Sequence, residues 1–462
     1  MKKRLLLLLL LGGLSQSCKF LDENPAGFIA PTNFYKSSSD ALASVNAAYN
    51  QLSRWGAFER EIYLLTELST DNMDLFTTNQ ERAQVDNYTF DSANGIFLAA
   101  WSYLYLGVNL ANTTISRVPG VPMDVALRDR IVGEARFLRA FYYYQIVRLW
   151  GDAPLLTAEV ASLEGLNVPR DPAEKIYAQI IEDLQFAEAK LPARYTGANV
   201  GRATSGAAKS LLASVYLTRK QWALAAGKTK EVIDSKVYQL NKAYADNFAI
   251  PLKNGIESIF ECQAQANTGG DDQSRLYTNF APQPSNQYGA RAYGGFGPTH
   301  ELFNAHETGD ARKGLYLTEQ NGKQLFRPHF NKYVDPAGTE NNNSNNWPYL
   351  RYADVLLMHA EALTEAGILA EALTSLNLVR TRAGLPASKA ATQAELREAI
   401  RTERRMELYL EGHRWFDLVR YGTLVSTMKA KGKTSIEEKH TKFPIPLREI
   451  DTNPALTQNP GY

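Results

Sequence analysis

Cysteine is almost absent from this chain: Cys18 and Cys262 are the two in 462 residues. A disulfide-built scaffold is thereby excluded. Histidine is scarce too. His300, His306, His329, His359, His413 and His440 form no HExxH and no Cys/His cluster, so a zinc site has no support and no metal ligand is assigned. His300-Glu301 and His306-Glu307 lack ligand spacing and read as surface or loop residues. The Walker loop, the GxGxxG turn and the GxSxG elbow are missing, and no cofactor is expected. Lys and Arg number 50 against 49 acidic residues, with no cluster on one helix face, so there is no footprint for nucleic acid. After residue 14 no apolar run approaches a membrane span.

What is present begins with an address. Met1-Lys2-Lys3-Arg4 is a positive start, residues 5–11 are an unbroken apolar run, and small and polar residues lead to Cys18. The run is too short for a stable span and fits a secretory signal over residues 1–17. Cys18 is expected to carry the lipid of a lipoprotein, on a loose lipobox in which Ser17 is suitably small but Leu14 stands one place early. An ordinary signal-peptidase site, with Cys18 a chance thiol, is the alternative. Removing Lys2, Lys3 and Arg4 takes the formal charge from +1 to −2. Residues 18–39 read as anchor and extended tether. Cys262 sits in a strand-like alternation over 257–263 and reads as a small buried hydrophobe.

Apolar residues make up 44% and aromatic ones 11%, including 24 Tyr, enough for a large core. Most of those Tyr are expected to pack between helices. Helical spacing runs through 40–52 (Ala41, Leu42, Val45, Ala48, Tyr49, Leu52), 95–118 and 124–150. Ser39-Asp40 offers N-caps to the first. Asp171-Pro172 is a start signal, with Asp171 expected at the N-cap and Pro172 at the first helical position. Residues 205–234 and 352–380 each read as an Ala-rich helix, a short turn and a second Ala-rich helix. Aligned on small residues, Ala213 falls on Ala360, Tyr216 on Leu363, Ala225 on Ala372 and Val232 on Val379. Residues 135–149 with 172–191 form a looser third unit. The pattern is similar to the tetratricopeptide (TPR) repeat of about 34 residues, though generic helical hairpins would read alike.

The expected fold is mostly α: a TPR-like helical-hairpin superhelix with an irregular, loop-rich ligand-binding part and a few short strands. Its parts are an N-terminal helical region over 40–256, a loop-rich insertion over 257–347, and a C-terminal region over 348–462 with a hairpin and an extended tail from 435. In the insertion Gly, Asn, Pro and aromatic residues replace the helical pattern, with short strands expected at 257–263 and 326–333. Long structured loops in a helical protein usually carry function.

Sugars present apolar CH faces that stack on aromatic rings, and hydroxyls that Asn, Asp and Arg bind. Tyr288, Arg291, Tyr293 and Phe296 stand among glycines, and Asp71 and Asn72 lie in a polar run over 66–74. These six are the candidate ligand-binding residues; packing beneath the loops is the competing role for the rings. No catalytic residue is assigned. Glu67, Asp71 and Asp74, or Asp271 and Asp272, would suit a glycosidase only if two carboxyls faced each other across a cleft.

Residues 401–422 alternate charge with apolar and aromatic side chains. Arg404 and Glu407, Glu411 and Arg414, Arg414 and Asp417, and Asp417 and Arg420 are three apart, so a helix would stack opposite charges on one face. Gly412 is expected to end one helix and start the next. The ion pairs are expected to tie the last helices to the repeats and to the terminal Asn459-Pro460-Gly461 run.

Three stretches resemble the SusD/RagB family of starch-utilisation-type outer-membrane lipoproteins. One is 346–363. The second is 401–422, where the family pattern falls on Arg401, Arg404, Glu407-Leu408, Glu411-Gly412, Arg414, Asp417-Leu418 and Arg420. The third is the C-terminus: Pro444-Ile445-Pro446, Glu449-Ile450, Asn453-Pro454, and 458–462. Residues 101–112 and 149–154, and Pro298-Thr299 followed by Asp310 and Arg312, add to the likeness, which spans essentially the mature chain. The resemblance implies TPR-like pairs cradling an irregular ligand-binding part, with no catalysis. It implies lipid anchoring at the outer face of the outer membrane. It also implies a TonB-dependent SusC-like transporter as partner, into which a captured nutrient, commonly an oligosaccharide, is passed. The matching motifs are structural, so ligand residues do not carry over, and Trp101 and Trp347 read as packing residues. A TPR-type adaptor or a peptide-binding surface lipoprotein is the alternative, and a glycoside hydrolase a weaker one.

Overall fold

The computed structural model describes residues 34–54, 58–160, 167–268, 273–282 and 293–462. Cys18, Asp271, Asp272, Tyr288 and Arg291 lie outside the described residues, as does most of the tether.

The helices start where short polar side chains can cap them. Ser37 and Asp40 close a capping box ahead of α1 (Ser38–Ser53), slightly earlier than Ser39-Asp40 suggested. α2 (Gln80–Asn87) and α3 (Gly95–Arg117) begin after Asn79 and Asn94, and α4 (Val125–Trp150) after Asp124. α5 (Ala173–Lys190) departs from expectation, because Pro172 is itself the N-cap. Asp171 is held elsewhere: its backbone bridges to Ala153 and its carboxylate accepts from the Leu155 N–H at 3.2 Å. Asp152 serves α5 instead, accepting from the Ala173 N–H at 2.8 Å.

α6 (Ser205–Thr218) and α7 (Trp222–Asp234) form a hairpin, and α4 packs on α5 in the same way. Two short helices, α8 (Leu276–Phe280) and α9 (His300–Asn304), lie in the loop-rich part. α10 (Tyr352–Glu365) and α11 (Leu369–Arg382) make the last hairpin, and α10 also packs on α7, so the hairpins stack. Ala213, Ala225, Ala360 and Ala372 are all fully buried, so the repeat alignment marks the positions of close approach. From Ile131 onward α4 is almost wholly buried, and its tyrosines find partners inside the core. Tyr142 donates to the Ala48 carbonyl at 2.7 Å, and Tyr143 to that of Leu156 at 2.9 Å. Gly107 makes room for Tyr142: a Cβ there would lie 2.5 Å from the ring.

The strands come as three antiparallel pairs. β1 (Met73–Leu75) pairs with β3 (Phe296–Pro298), β2 (Ser258–Cys262) with β6 (Trp347–Arg351), and β4 (Tyr316–Gln320) with β5 (Lys323–Phe330). Cys262 is buried opposite Trp347, as a small hydrophobe. The strand expected at 326–333 starts earlier, because Asn321 and Gly322 take positive φ and turn β4 straight into β5. Trp101 and Trp347 are packing residues, 3% and 2% exposed. α12 (Gln393–Leu408), α13 (Arg414–Tyr421), α14 (Leu424–Ala430) and α15 (Leu447–Thr452) complete the chain. The tail is therefore not extended throughout: Pro446 caps the short α15.

Residues 401–422 form no ladder along one helix. Leu410 and Gly412 take φ of 60° and 79° between α12 and α13. A side chain on Gly412 would strain that backbone and meet the Trp347 ring at 3.1 Å. Of the four expected spacings, Asp417–Arg420 alone forms an ion pair, at 2.9 Å. The other charges are met by whatever packs on these buried helices. Arg404 reaches Asp354 at 2.7 Å and Asp417 at 3.0 Å. Glu407 takes Arg351 at 3.0 Å, Arg312 at 3.3 Å, and Arg382. Glu411 takes Lys332 and Arg351, both at 2.7 Å. The ties run to the repeats, as expected, but not to the terminal run. Asn459 holds that run by donating to the carbonyls of Trp150 and Phe443, at 2.9 and 2.8 Å.

Two stability predictions arise here. Arg414 donates to both Asp71 oxygens at 2.8 Å, while Arg405 lies 2.9 Å from the same carboxylate. Arg414→Ala leaves Asp71 one partner, so a loss of about 1–3 kcal/mol and a lower Tm are expected, with intrinsic ligand affinity unchanged. Asp417→Ala should behave alike. Unchanged melting with lost binding would contradict this.

The second concerns acid. Burial raises the Glu407 carboxyl, but Arg382, Arg351 and Arg312 more than offset it and hold the group at about 2, against an ordinary 4.5. A depressed carboxylate gives stability that is complete above pH 4.5 and lost as pH falls towards about 2. Glu407→Gln should be less stable at neutral pH and lose stability less steeply across that window in urea titrations. An acid limb as steep as the parent's would sink the assignment.

Candidate functional site

One face is assembled from loops that the strand pairs bring together. β3 lies against β5, and the Phe76 N–H donates to the Gly295 carbonyl at 2.8 Å, extending the β1–β3 pairing. Phe76 lies over Gly297, where a Cβ would stand 2.5 Å from its ring. The Arg327 guanidinium stacks 4.0 Å from the Phe76 centroid and 5.4 Å from that of Phe326. Phe326 is 91% exposed, which is unusual for a phenylalanine.

Tyr293 lies two residues before Gly295 in the chain. Its backbone N–H donates to the Thr278 carbonyl at 2.8 Å, and the Thr278 hydroxyl accepts from the Asn341 N–H at 3.1 Å. One threonine thus fixes both loops. The Tyr293 hydroxyl donates to Glu340 at 3.1 Å and accepts from the Asn341 amide at 2.7 Å. The residue is 42% exposed. The polar edge is pinned, and much of the ring remains open to solvent.

The other described candidates lie deeper. Phe296 is 1% exposed, packed against Tyr63 and Phe280 at centroid distances of 5.7 and 6.2 Å. It takes the packing role described for rings beneath the loops. Asn72 is 1% exposed and accepts from Arg405 at 2.9 Å. Asp71 is also buried; burial raises its carboxyl, but Arg414 and Arg405 bring it below the ordinary value. Thr299 donates to the Asp71 carbonyl at 2.8 Å, so these residues clamp the loop-rich part onto α12 and α13.

The carboxylates of this run do not form a facing pair. Glu67, on the π-helical turn Leu64–Leu68, is fully buried, and burial pushes its carboxyl up to about 7 despite the Gly412 N–H at 2.8 Å. Asp74 pairs with Lys431 at 3.2 Å. His300 is exposed as read, but His306 is not a surface residue: it is buried between Asp310 at 2.9 Å and Tyr316 at 3.1 Å. Among the described residues no group of three or more His, Cys, Asp or Glu is placed to hold a metal. No helix among them is long and apolar enough to cross a membrane.

The class that fold and face define is a helical-hairpin scaffold presenting a loop-built aromatic surface. The family described as the SusD family matches residues 312–462, and the one described as starch-binding associating with outer membrane matches residues 19–217. SusD-like protein P2 of Formosa agariphila is 30% identical over 496 aligned positions, covering 96% of this chain and 97% of its own. The crystal structure of a SusD superfamily protein from Parabacteroides distasonis superposes with a TM-score of 0.81 at 28% identity, covering 92% of this chain and 99% of that one. A laminarin-binding SusD-like protein superposes with a TM-score of 0.81 at 26% identity, covering 93% and 100%. The chain belongs to the SusD/RagB family.

Proposed function

We propose that this protein is a lipid-anchored, cell-surface binding protein of the outer membrane. It captures an oligosaccharide and delivers it to a TonB-dependent SusC-like transporter, without catalysis. The observation that carries the reading is Tyr293: a part-exposed ring whose hydroxyl is fixed by Glu340 and Asn341. A pyranose ring can stack on it while sugar hydroxyls meet the amide and carboxylate beside it. Phe326 and the Arg327–Phe76 stack extend the platform. Tyr288 and Arg291, a few residues before Tyr293, are proposed to meet the same ligand. Asp71, Asn72 and Phe296 would support the surface from beneath. The starch-binding description of the family and the laminarin-binding neighbour support a glycan. The signal sequence before Cys18 supports the anchor.

Titration calorimetry against starch- and laminarin-derived oligosaccharides and a peptide pool tests the reading. Saturable glycan binding without released product is expected, with copurification of a large barrel protein from membranes. Peptide binding alone, or product release abolished by one carboxylate change, would replace it with an adaptor or a hydrolase.

A further inference from the structure

A second surface shares no lining residue with the Tyr293 face. Residues 191–204 connect α5 to α6, and three cavities open along this connection, of about 270, 550 and 470 Å³. The first shares Val200, Gly201 and Arg202 with the second, and Arg194 and Tyr195 with the third. They are compartments of one groove. It runs from α1 past the start of β2 to the beginning of α4. Three linked compartments suit an extended chain rather than a single small molecule.

The groove is basic although the chain is nearly neutral. Five cations line it, Arg130, Lys190, Arg194, Arg202 and Lys253, against one lining carboxylate. That carboxylate, Glu261, is buried and takes the Asn346 amide at 2.7 Å. Behind the wall, Glu134 meets Arg202 at 2.6 Å and Asp129 meets Lys190 at 2.8 Å. Counting these two as well, the cations still exceed the carboxylates by two. Arg194 is the least committed: it is exposed, donates to the Val237 carbonyl, and has no carboxylate within 4.0 Å among the described residues.

The remaining polar lining is amide and hydroxyl, the six amides being Asn46, Asn50, Asn199, Asn254, Gln263 and Gln265. Amides donate and accept at once, which matches the hydroxyls of a sugar chain better than the side chains of an acidic peptide. We propose that this groove is a second binding site that takes an acidic oligosaccharide, bearing uronate carboxylates or sulfate esters. Charge-assisted bonds from Arg194 and its neighbours would hold the anions, while the amides read the hydroxyls. The proposal is independent of what the Tyr293 face binds.

The test is calorimetry on the full mature chain with oligogalacturonate, a sulfated carrageenan oligosaccharide, oligoglutamate and neutral maltohexaose, at low and raised salt. Wild-type protein is expected to bind one of the acidic probes, more weakly as salt rises. Arg194→Glu should weaken that binding about tenfold or more at unchanged Tm, while Tyr293→Ala leaves it intact. Arg194→Gln, which keeps the size and drops the charge, should fall between them and stands in if the reversal disturbs folding. Failure of both acidic probes to bind, unchanged affinity in both Arg194 variants, or binding of oligoglutamate but of neither acidic glycan would overturn the proposal.

Discussion

Arg351→Ala is expected to lower the unfolding free energy by about 3–5 kcal/mol. Arg351 closes β6 and points its guanidinium into the interior, where its side chain is 1% exposed. There it meets Glu257 at 2.6 Å, Glu407 at 3.0 Å, and both oxygens of Glu411 at 2.7 and 2.8 Å. Alanine leaves three buried carboxylates sharing Arg312, Arg382 and Lys332. Lys332 is a poor substitute, since burial pulls its ammonium down to about 8 despite Glu411. Arg351→Lys should recover little, because a single ammonium cannot span three carboxylates as the planar fork does. Urea unfolding at neutral pH measures this. A loss under about 1 kcal/mol would mean that the buried charges are not the tie between β6 and α12.

Tyr293→Ala is expected to weaken glycan binding by about 1–3 kcal/mol, roughly fivefold to 150-fold, by removing a stacking face and the fixed hydroxyl together. The melting temperature should stay close to the parent's, because the residue is 42% exposed and its side-chain partners are at the surface. Tyr293→Phe separates the two contributions by keeping the face and losing the hydroxyl. Full affinity in Tyr293→Ala would move the ligand off this face. A collapse in melting temperature would instead make Tyr293 a packing residue.

The helical hairpins were legible because their signal is local. Ala213 and Ala225, like Ala360 and Ala372, stand at fixed spacing within one hairpin, and close packing demands small residues there. The candidate face was only half legible, because it depends on which way each side chain turns. Tyr293 and Phe296 are three residues apart in one Gly-rich stretch, yet one is exposed and the other is core. What divides them is the pairing of β1 with β3, a contact between distant segments that no local pattern encodes. Residues 401–422 show the same limit. Charges three apart suggested a helical ladder, while Arg414 instead pairs with Asp71, 343 residues away. Asn321-Gly322 announces the hairpin that carries Phe326, and the Asn-rich run after Glu340 supplies Asn341. Both were findable from turn chemistry; their assembly with Tyr293 was not.

The most direct measurement is a co-crystal structure with a neutral, starch- or laminarin-derived oligosaccharide selected by calorimetry. The account predicts a sugar ring stacked on Tyr293, at about 4 Å, with hydroxyls hydrogen-bonded to Asn341 or Glu340. An oligosaccharide ordered elsewhere at full occupancy, with the Tyr293 ring left bare, would contradict it.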